Sequence, residues 1–130
     1  MGLRCFLFTS DGGSAETIGK VLATLDVEAE SCSDATAAAE RIAHEAFQIV
    51  IIDWNRQPEA GLLLGTARER KASERPITLA IVSDDVSVPK ALQAGANSIL
   101  REPFVQSQIK DTLTTARDLA RSRKEPAPLV

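Results

Sequence analysis

Apolar positions along the chain follow two different periods. Leu3 to Phe8 and Phe47 to Ile52 are compact apolar runs, the form expected of strands buried on both faces of a parallel sheet. Val27 to Ser31, Ile77 to Val82 and Ser98 to Leu100 give three further strand signals. Between them the spacing turns helical. Ile18, Val21, Leu22 and Leu25 recur at i, i+3, i+4 and i+7 after the polar turn Thr9 to Ser14. Ser33 and Asp34 supply helix-start chemistry for Ala35 to Glu45, where Ala38, Ile42 and Ala46 mark the expected buried stripe. Leu62, Leu63, Leu64 and Ala67 follow Gly61 as the apolar face of a third helix. Ser87 is the expected cap of a short fourth helix, with Pro89 in its first turn and Gly95 closing it. The last helix is expected to carry Val105, Ile109, Leu113, Ala116 and Leu119 on one face.

Five strands alternating with five helices require right-handed crossovers, hence a doubly wound parallel sheet. For a single five-unit domain the expected class is α/β with the flavodoxin-like strand order 2-1-3-4-5. The domain is expected to span residues 1–121, with 122–130 as a polar, Pro-bearing tail or the start of a linker. The run Arg68-Glu69-Arg70-Lys71 reads as a solvated helix end.

Composition narrows the function classes. Fifteen basic against 18 acidic residues give a net charge of −3, which argues against nucleic acid as a partner of this domain. No apolar stretch approaches membrane-spanning length, and no signal-peptide core is present at the start. Cys5 and Cys32 form no metal-binding pair and read as free thiols of a reducing cytoplasm. His44 stands alone on the exposed side of a helix and carries no expected chemistry.

In open α/β sheets ligands collect outside the carboxyl ends of the strands. Those ends hold Ser10 and Asp11, Asp53, Ser83, and Arg101 with Glu102. The first apolar pattern is most telling at Asp53, where a carboxylate ends the run Ile49-Val50-Ile51-Ile52 and Pro58 and Gly61 then break the chain.

In this arrangement the chain resembles the receiver domains of two-component response regulators, from about Leu3 to Arg121. Ser10-Asp11 stands where that family usually carries an acidic pair. Asp53 falls on the phosphoacceptor, with Trp54-Asn55 after it and Gly61 eight residues on. Ser83 falls on the hydroxyl residue after the fourth strand. Gly95-Ala96 precedes the fifth strand, and Glu102-Pro103-Phe104 replaces the family's Lys-Pro-Phe.

The resemblance implies Mg²⁺ held by the Asp11 and Asp53 carboxylates and the main-chain carbonyl of Asn55, weakened by Ser10 in place of an acid. Ser83 would hydrogen-bond a phosphoryl oxygen and act in switching. Glu102 reverses the charge at the lysine position, and Arg101 points elsewhere because neighbouring strand residues face opposite sides. Asp11, Asp53 and Glu102 together would hold a cation better than a phosphate, and their like charges would raise the pKa of at least one. The Glu102-Pro103 bond is expected to be cis. Ile99 replaces the family's switch aromatic, and Lys90, Gln93, Ile99, Gln108 and Lys110 would mark a partner or homodimer face formed by the fourth helix, fifth strand and fifth helix.

Two readings stand side by side: a phosphorelay receiver with Asp53 as phosphoacceptor, and a phosphorylation-independent pseudo-receiver acting as an interaction module. Both imply protein partners (a histidine kinase, a phosphotransfer protein or an output domain) and no enzyme activity beyond accepting a phosphoryl group. A third, an FMN-binding electron carrier of flavodoxin type, rests on the hydroxyl- and Gly-rich Thr9 to Thr17, with only Trp54 to stack on a flavin. An aspartate-nucleophile phosphatase of the haloacid dehalogenase type is set aside because Asn55 stands where a second Asp is needed.

Overall fold

The computed structural model describes residues 2–124. Five parallel strands, β1 (Leu3–Phe8), β2 (Val27–Cys32), β3 (Ile49–Asp53), β4 (Ile77–Val82) and β5 (Ser98–Arg101), form one sheet in the order β2-β1-β3-β4-β5. The helices are α1 (Gly12–Thr24), α2 (Ala35–His44), α3 (Glu59–Arg68), α4 (Ser87–Ala94) and α5 (Gln106–Lys124), with a 3-10 turn at Ala72–Glu74. Every residue of β3 and β4 is buried, as the apolar runs require of central strands covered on both faces. Leu7, Ile49, Ile51 and Leu79 face α1 and α5, whereas Phe6, Phe8, Val50 and Ile52 face α2, α3 and α4.

The edge strand β2 is mostly exposed and carries Glu28 and Glu30, charges that discourage pairing with another chain. Glu30 belongs to a closed ring of four side chains. Arg4 reaches Glu30 at 2.8 Å and Glu45 at 3.1 Å, and Arg41 reaches Glu45 at 2.6 Å and Glu30 at 3.1 Å. The Arg4 guanidinium also lies 4.5 Å from the Phe47 ring centre.

Several local expectations are corrected. Asp11 caps α1 directly, so the helix begins at Gly12, inside the expected turn. β3 begins at Ile49 rather than Phe47, and α2 stops at His44, leaving Ala46 exposed beyond it. α3 begins at Glu59 and takes in Gly61, and its rotation puts Ala60, Leu63, Leu64 and Ala67 inward and Leu62 out. Ser87 is the first residue of α4 rather than its cap, which is Val86, and Asp84 accepts the Ser87 N–H at 2.7 Å. In α5 the inward residues are Ile109, Leu113, Ala116 and Ala120, while Val105 and Leu119 are each 49% exposed. The Arg68 to Lys71 run is not wholly solvated, because Arg70 turns in and donates to the Ile42 and Glu45 carbonyls at 2.8 and 2.7 Å. These are the free carbonyls at the end of α2.

Gly95 ends α4 at φ 127°, a conformation that favours glycine. The Glu102-Pro103 bond is cis as expected, and Gln57-Pro58 is cis as well. α5 continues to Lys124, past the expected boundary at 121, and residues 125–130 of the expected tail lie outside the described residues. Cys5 is fully buried in β1, where burial pushes its thiol pKa up, and Cys32 is half-buried at the end of β2.

Candidate functional site

Parallel pairing sets the site. β1 and β3 run in register through Phe8 and Ile52, so the next residues, Thr9 and Asp53, emerge side by side. Both are buried. Thr9 Oγ1 donates to Asp53 Oδ2 at 2.9 Å and accepts the Asp11 N–H at 3.1 Å. The other carboxylate oxygen, Asp53 Oδ1, accepts two bonds from Asn55, from its main-chain N–H and its Nδ2, both at 3.0 Å. The sharp turn after β3 thus folds the Asn55 side chain back over the carboxylate.

Asn55 also ties in the two neighbouring strand ends. Its Nδ2 donates to Glu102 Oε1 at 3.2 Å, and its Oδ1 accepts from Ser83 Oγ at 2.8 Å. An amide has two N–H protons and one acceptor oxygen, so two carboxylates on one side and a hydroxyl on the other suit it fully. Glu102 Oε2 lies 3.4 Å from Ser14 Oγ, which is also 2.8 Å from Asp11 Oδ2. Ser14 has a single hydroxyl proton, and the shorter contact gives it to Asp11.

Asp53, Asn55, Ser83 and Glu102 therefore meet in one network. Ser83 bonds the Asn55 amide, and it is the Asn55 side chain that faces Asp53. Asp11 faces its own helix: Oδ1 accepts the Gly13 N–H at 3.1 Å and Oδ2 accepts from Ser14. These bonds, Ser14 first and Gly13 second, lower its pKa. Ser10 is exposed. Arg101 points away, as expected, and pairs with Asp85.

Thr9 and Ser14 are the residues that sequence reasoning missed. A signal for Thr9 existed: two six-residue apolar runs end at Phe8 and Ile52, and aligning their ends pairs Thr9 with Asp53.

The three carboxylates meet no counter-charge. Among the described residues no ion pair involves Asp11, Asp53 or Glu102. Nor does any group of three or more His, Cys, Asp or Glu side chains among them converge to hold a metal ion, which corrects the expected three-carboxylate cation site. The donor chemistry explains why. Magnesium needs free oxygen lone pairs in near-octahedral array. Asp53 Oδ1 already faces two N–H groups, and Asp11 caps a helix. As arranged, these residues do not fit the ion.

The expected partner face divides in two. Ile99 and Gln108 line one shallow hollow beside β5, whereas Lys90 lines another with Trp54 and Asn55, at the mouth of the site. Gln93 and Lys110 are exposed. Leu92, 45% exposed, and Val105 add apolar surface to this side that the helical pattern did not single out. Trp54 packs against the core under α2 to α4.

No family model matches the chain. It is 26% identical over 130 residues to the response regulator protein TmoT of Ectopseudomonas mendocina, covering 96% of this chain and 57% of that protein. It is 33% identical over 69 residues to ethylene receptor 3 of Oryza sativa subsp. japonica, covering 52% of this chain and 8% of the receptor. The chain thus spans under two thirds of either curated relative. Among solved structures, the chemotaxis response regulator CheY4 of Vibrio cholerae superposes with a TM-score of 0.78 at 15% identity, over 89% of this chain and 99% of that one. The receiver domain of a sensor histidine kinase from Pseudomonas aeruginosa, described with a magnesium ion in its active-site cleft, gives 0.76 at 17% identity, over 91% and 99%. The fold is the receiver fold of response regulators, as the sequence motifs lead one to expect.

Proposed function

We propose that this chain is a receiver-type module of two-component signalling that works by protein–protein contact, with its Asp53 site closed by its own hydrogen bonds. The observation that carries this reading is the Asn55 side chain, bonded at once to Asp53, Glu102 and Ser83. Phosphoryl transfer to Asp53 needs a free carboxylate oxygen, a cation to neutralise the transferring oxygens, and donors aimed at them. Here both Asp53 oxygens accept bonds, Glu102 adds a negative charge, and the Ser83 hydroxyl is engaged with Asn55. A phosphoryl group would have to displace Asn55 and then sit beside a like charge.

The module is taken to be the folded unit ending with α5, and its partners are a sensor kinase, a phosphotransfer protein or an output domain. The surface flanking β5, with Leu92, Ile99, Val105 and Gln108, is the docking side this reading favours. No described helix is long and apolar enough to cross a membrane. A cytoplasmic setting follows from the partners proposed, which use ATP-derived phosphate.

A second reading, with Asp53 as phosphoacceptor, is favoured by its place at the carboxyl end of β3 with Ser83 one strand away. Incubation with Mg²⁺ and acetyl phosphate, followed by intact-mass measurement, separates the two. The expected result is no adduct on a folded protein while a competent receiver is labelled in parallel. A single phosphoryl adduct that vanishes in Asp53→Asn would overturn the proposal and establish the second reading.

A further inference from the structure

At the end of the sheet opposite Asp53, the segments entering β3 and β4 and the end of α5 surround a hollow of about 180 Å³. Ala46, Phe47 and Ala120 make its apolar floor, and Arg75 and Arg123 stand exposed on its rim. The two guanidiniums are held in a row. Arg123 Nη1 donates to the Arg75 carbonyl at 2.9 Å, and Arg75 Nη2 donates to the Arg70 carbonyl at 3.3 Å. Each fork carries five N–H donors, so most remain for a ligand. Among the described residues neither Arg75 nor Arg123 makes an ion pair. Glu74, the acid that lines the hollow, already pairs with Arg70 at 3.4 Å. Gln48 completes the wall. Its Oε1 accepts the Arg4 N–H at 2.7 Å, which leaves its Nε2 to donate. The surroundings carry the same sign as the rim. Residues 68–75 hold four basic and two acidic side chains, and residues 117–123 three and one, in a chain of net charge −3.

We propose that this hollow is a docking site for an acidic segment of a partner protein, its carboxylates on Arg75 and Arg123 and one apolar side chain between them on Phe47 and Ala120. The charge sets the sign of the ligand, and the size sets its kind. Small-molecule sites enclose about 300 Å³ or more, whereas this hollow has room for a single side chain. An apolar floor inside an arginine rim suits a carboxylate next to an apolar residue, which a peptide supplies and a nucleic-acid backbone does not. Arginine forks also match the planar carboxylate, taking it two bonds at a time. The site lies at the other end of the strands from Asp53, so it holds whether or not Asp53 accepts a phosphoryl group. It also leaves the β5 side free for a different partner.

Titration of the ¹⁵N-labelled full chain with the end-capped peptide Asp-Glu-Glu-Leu-Glu-Asp, followed by NMR at low salt, tests this. The amide signals of Gln48, Ser73 and Ala120 should move together to saturation, with a dissociation constant below about 1 mM. Arg75→Gln and Arg123→Gln should each weaken binding about three- to fivefold, and the double variant at least about tenfold. Serine in place of the peptide's leucine should cost at least about tenfold, and amides in place of its acids should abolish binding. Lys20→Gln, on α1, should leave it unchanged. Both arginines are exposed, so their variants keep the fold, which circular dichroism checks. Signals that stay still would overturn the proposal. So would binding that survives in the double variant or ignores the loss of the leucine. Phosphatidylserine vesicles that bind through the same arginines while the peptide does not would replace it with an anionic membrane surface.

Discussion

The two ends of β1 carry polar clusters built on opposite principles. At the start of the strand, Arg4 and Arg41 alternate with Glu30 and Glu45, two positive charges against two negative. Just past its end, Asp11, Asp53 and Glu102 are held one by one by hydroxyls, an amide and main-chain N–H groups, with no ion pair to any of them among the described residues. The first cluster is exposed and its members answer one another electrically. Arg41, and then Arg4, draw the Glu45 carboxyl down from its ordinary 4.5 to about 2. The second depends on geometry: each donor must point at one oxygen, and a displaced donor leaves a buried lone pair empty. Charge pairing tolerates motion, whereas dipole pairing at a buried carboxylate does not.

Breaking the second cluster should therefore cost more. Thr9→Val keeps the shape but leaves the buried Asp53 Oδ2 without its hydroxyl, for a loss of about 2 kcal/mol. Urea unfolding should show a lower midpoint at an unchanged slope. Asn55→Ala removes a donor from an exposed position, and a loss of about 1 kcal/mol is expected in the same assay. If instead the two variants fall in the reverse order, burial is not what distinguishes these bonds.

Glu45→Gln should have the smallest effect, and one that depends on conditions. A carboxyl titrating at about 2 when folded and near 4.5 when free stabilises fully above pH 4.5 and loses that contribution as pH falls toward 2. The thermal midpoint of Glu45→Gln should lie below that of the parent at pH 7, and the gap should close across that interval. Salt at about 1 M should shrink the same gap while leaving the Thr9→Val effect in place. Equal salt sensitivity in the two variants would erase the contrast between the clusters.

The strand order and the bounds of β1 and β4 could be read directly, because buried parallel strands are continuous apolar runs. Helix rotation was less legible. A row such as Leu113, Ala116 and Leu119 fits one face by spacing, yet α5 turns Ala120 inward and Leu119 out, since residues one apart differ by only about 100°. The same ambiguity exposed Leu62. At the site, Asp53, Asn55, Ser83 and Glu102 were legible as strand-end residues. What the sequence did not show was that the Asn55 side-chain amide would face Asp53, or that Thr9 would reach it. Both depend on strand register and on the tight turn after β3, which span dozens of residues of chain.

The placement of the two thiols equips the chain to report on its own breathing. Cys32, half-buried at the end of the edge strand, reacts with an alkylating reagent through small local openings. Cys5, fully enclosed between the sheet and α1, reacts only when the whole domain comes apart. Mass spectrometry during a single labelling course thus yields two clocks from one molecule, and the interval between them measures how far loosening an edge lies from losing the fold.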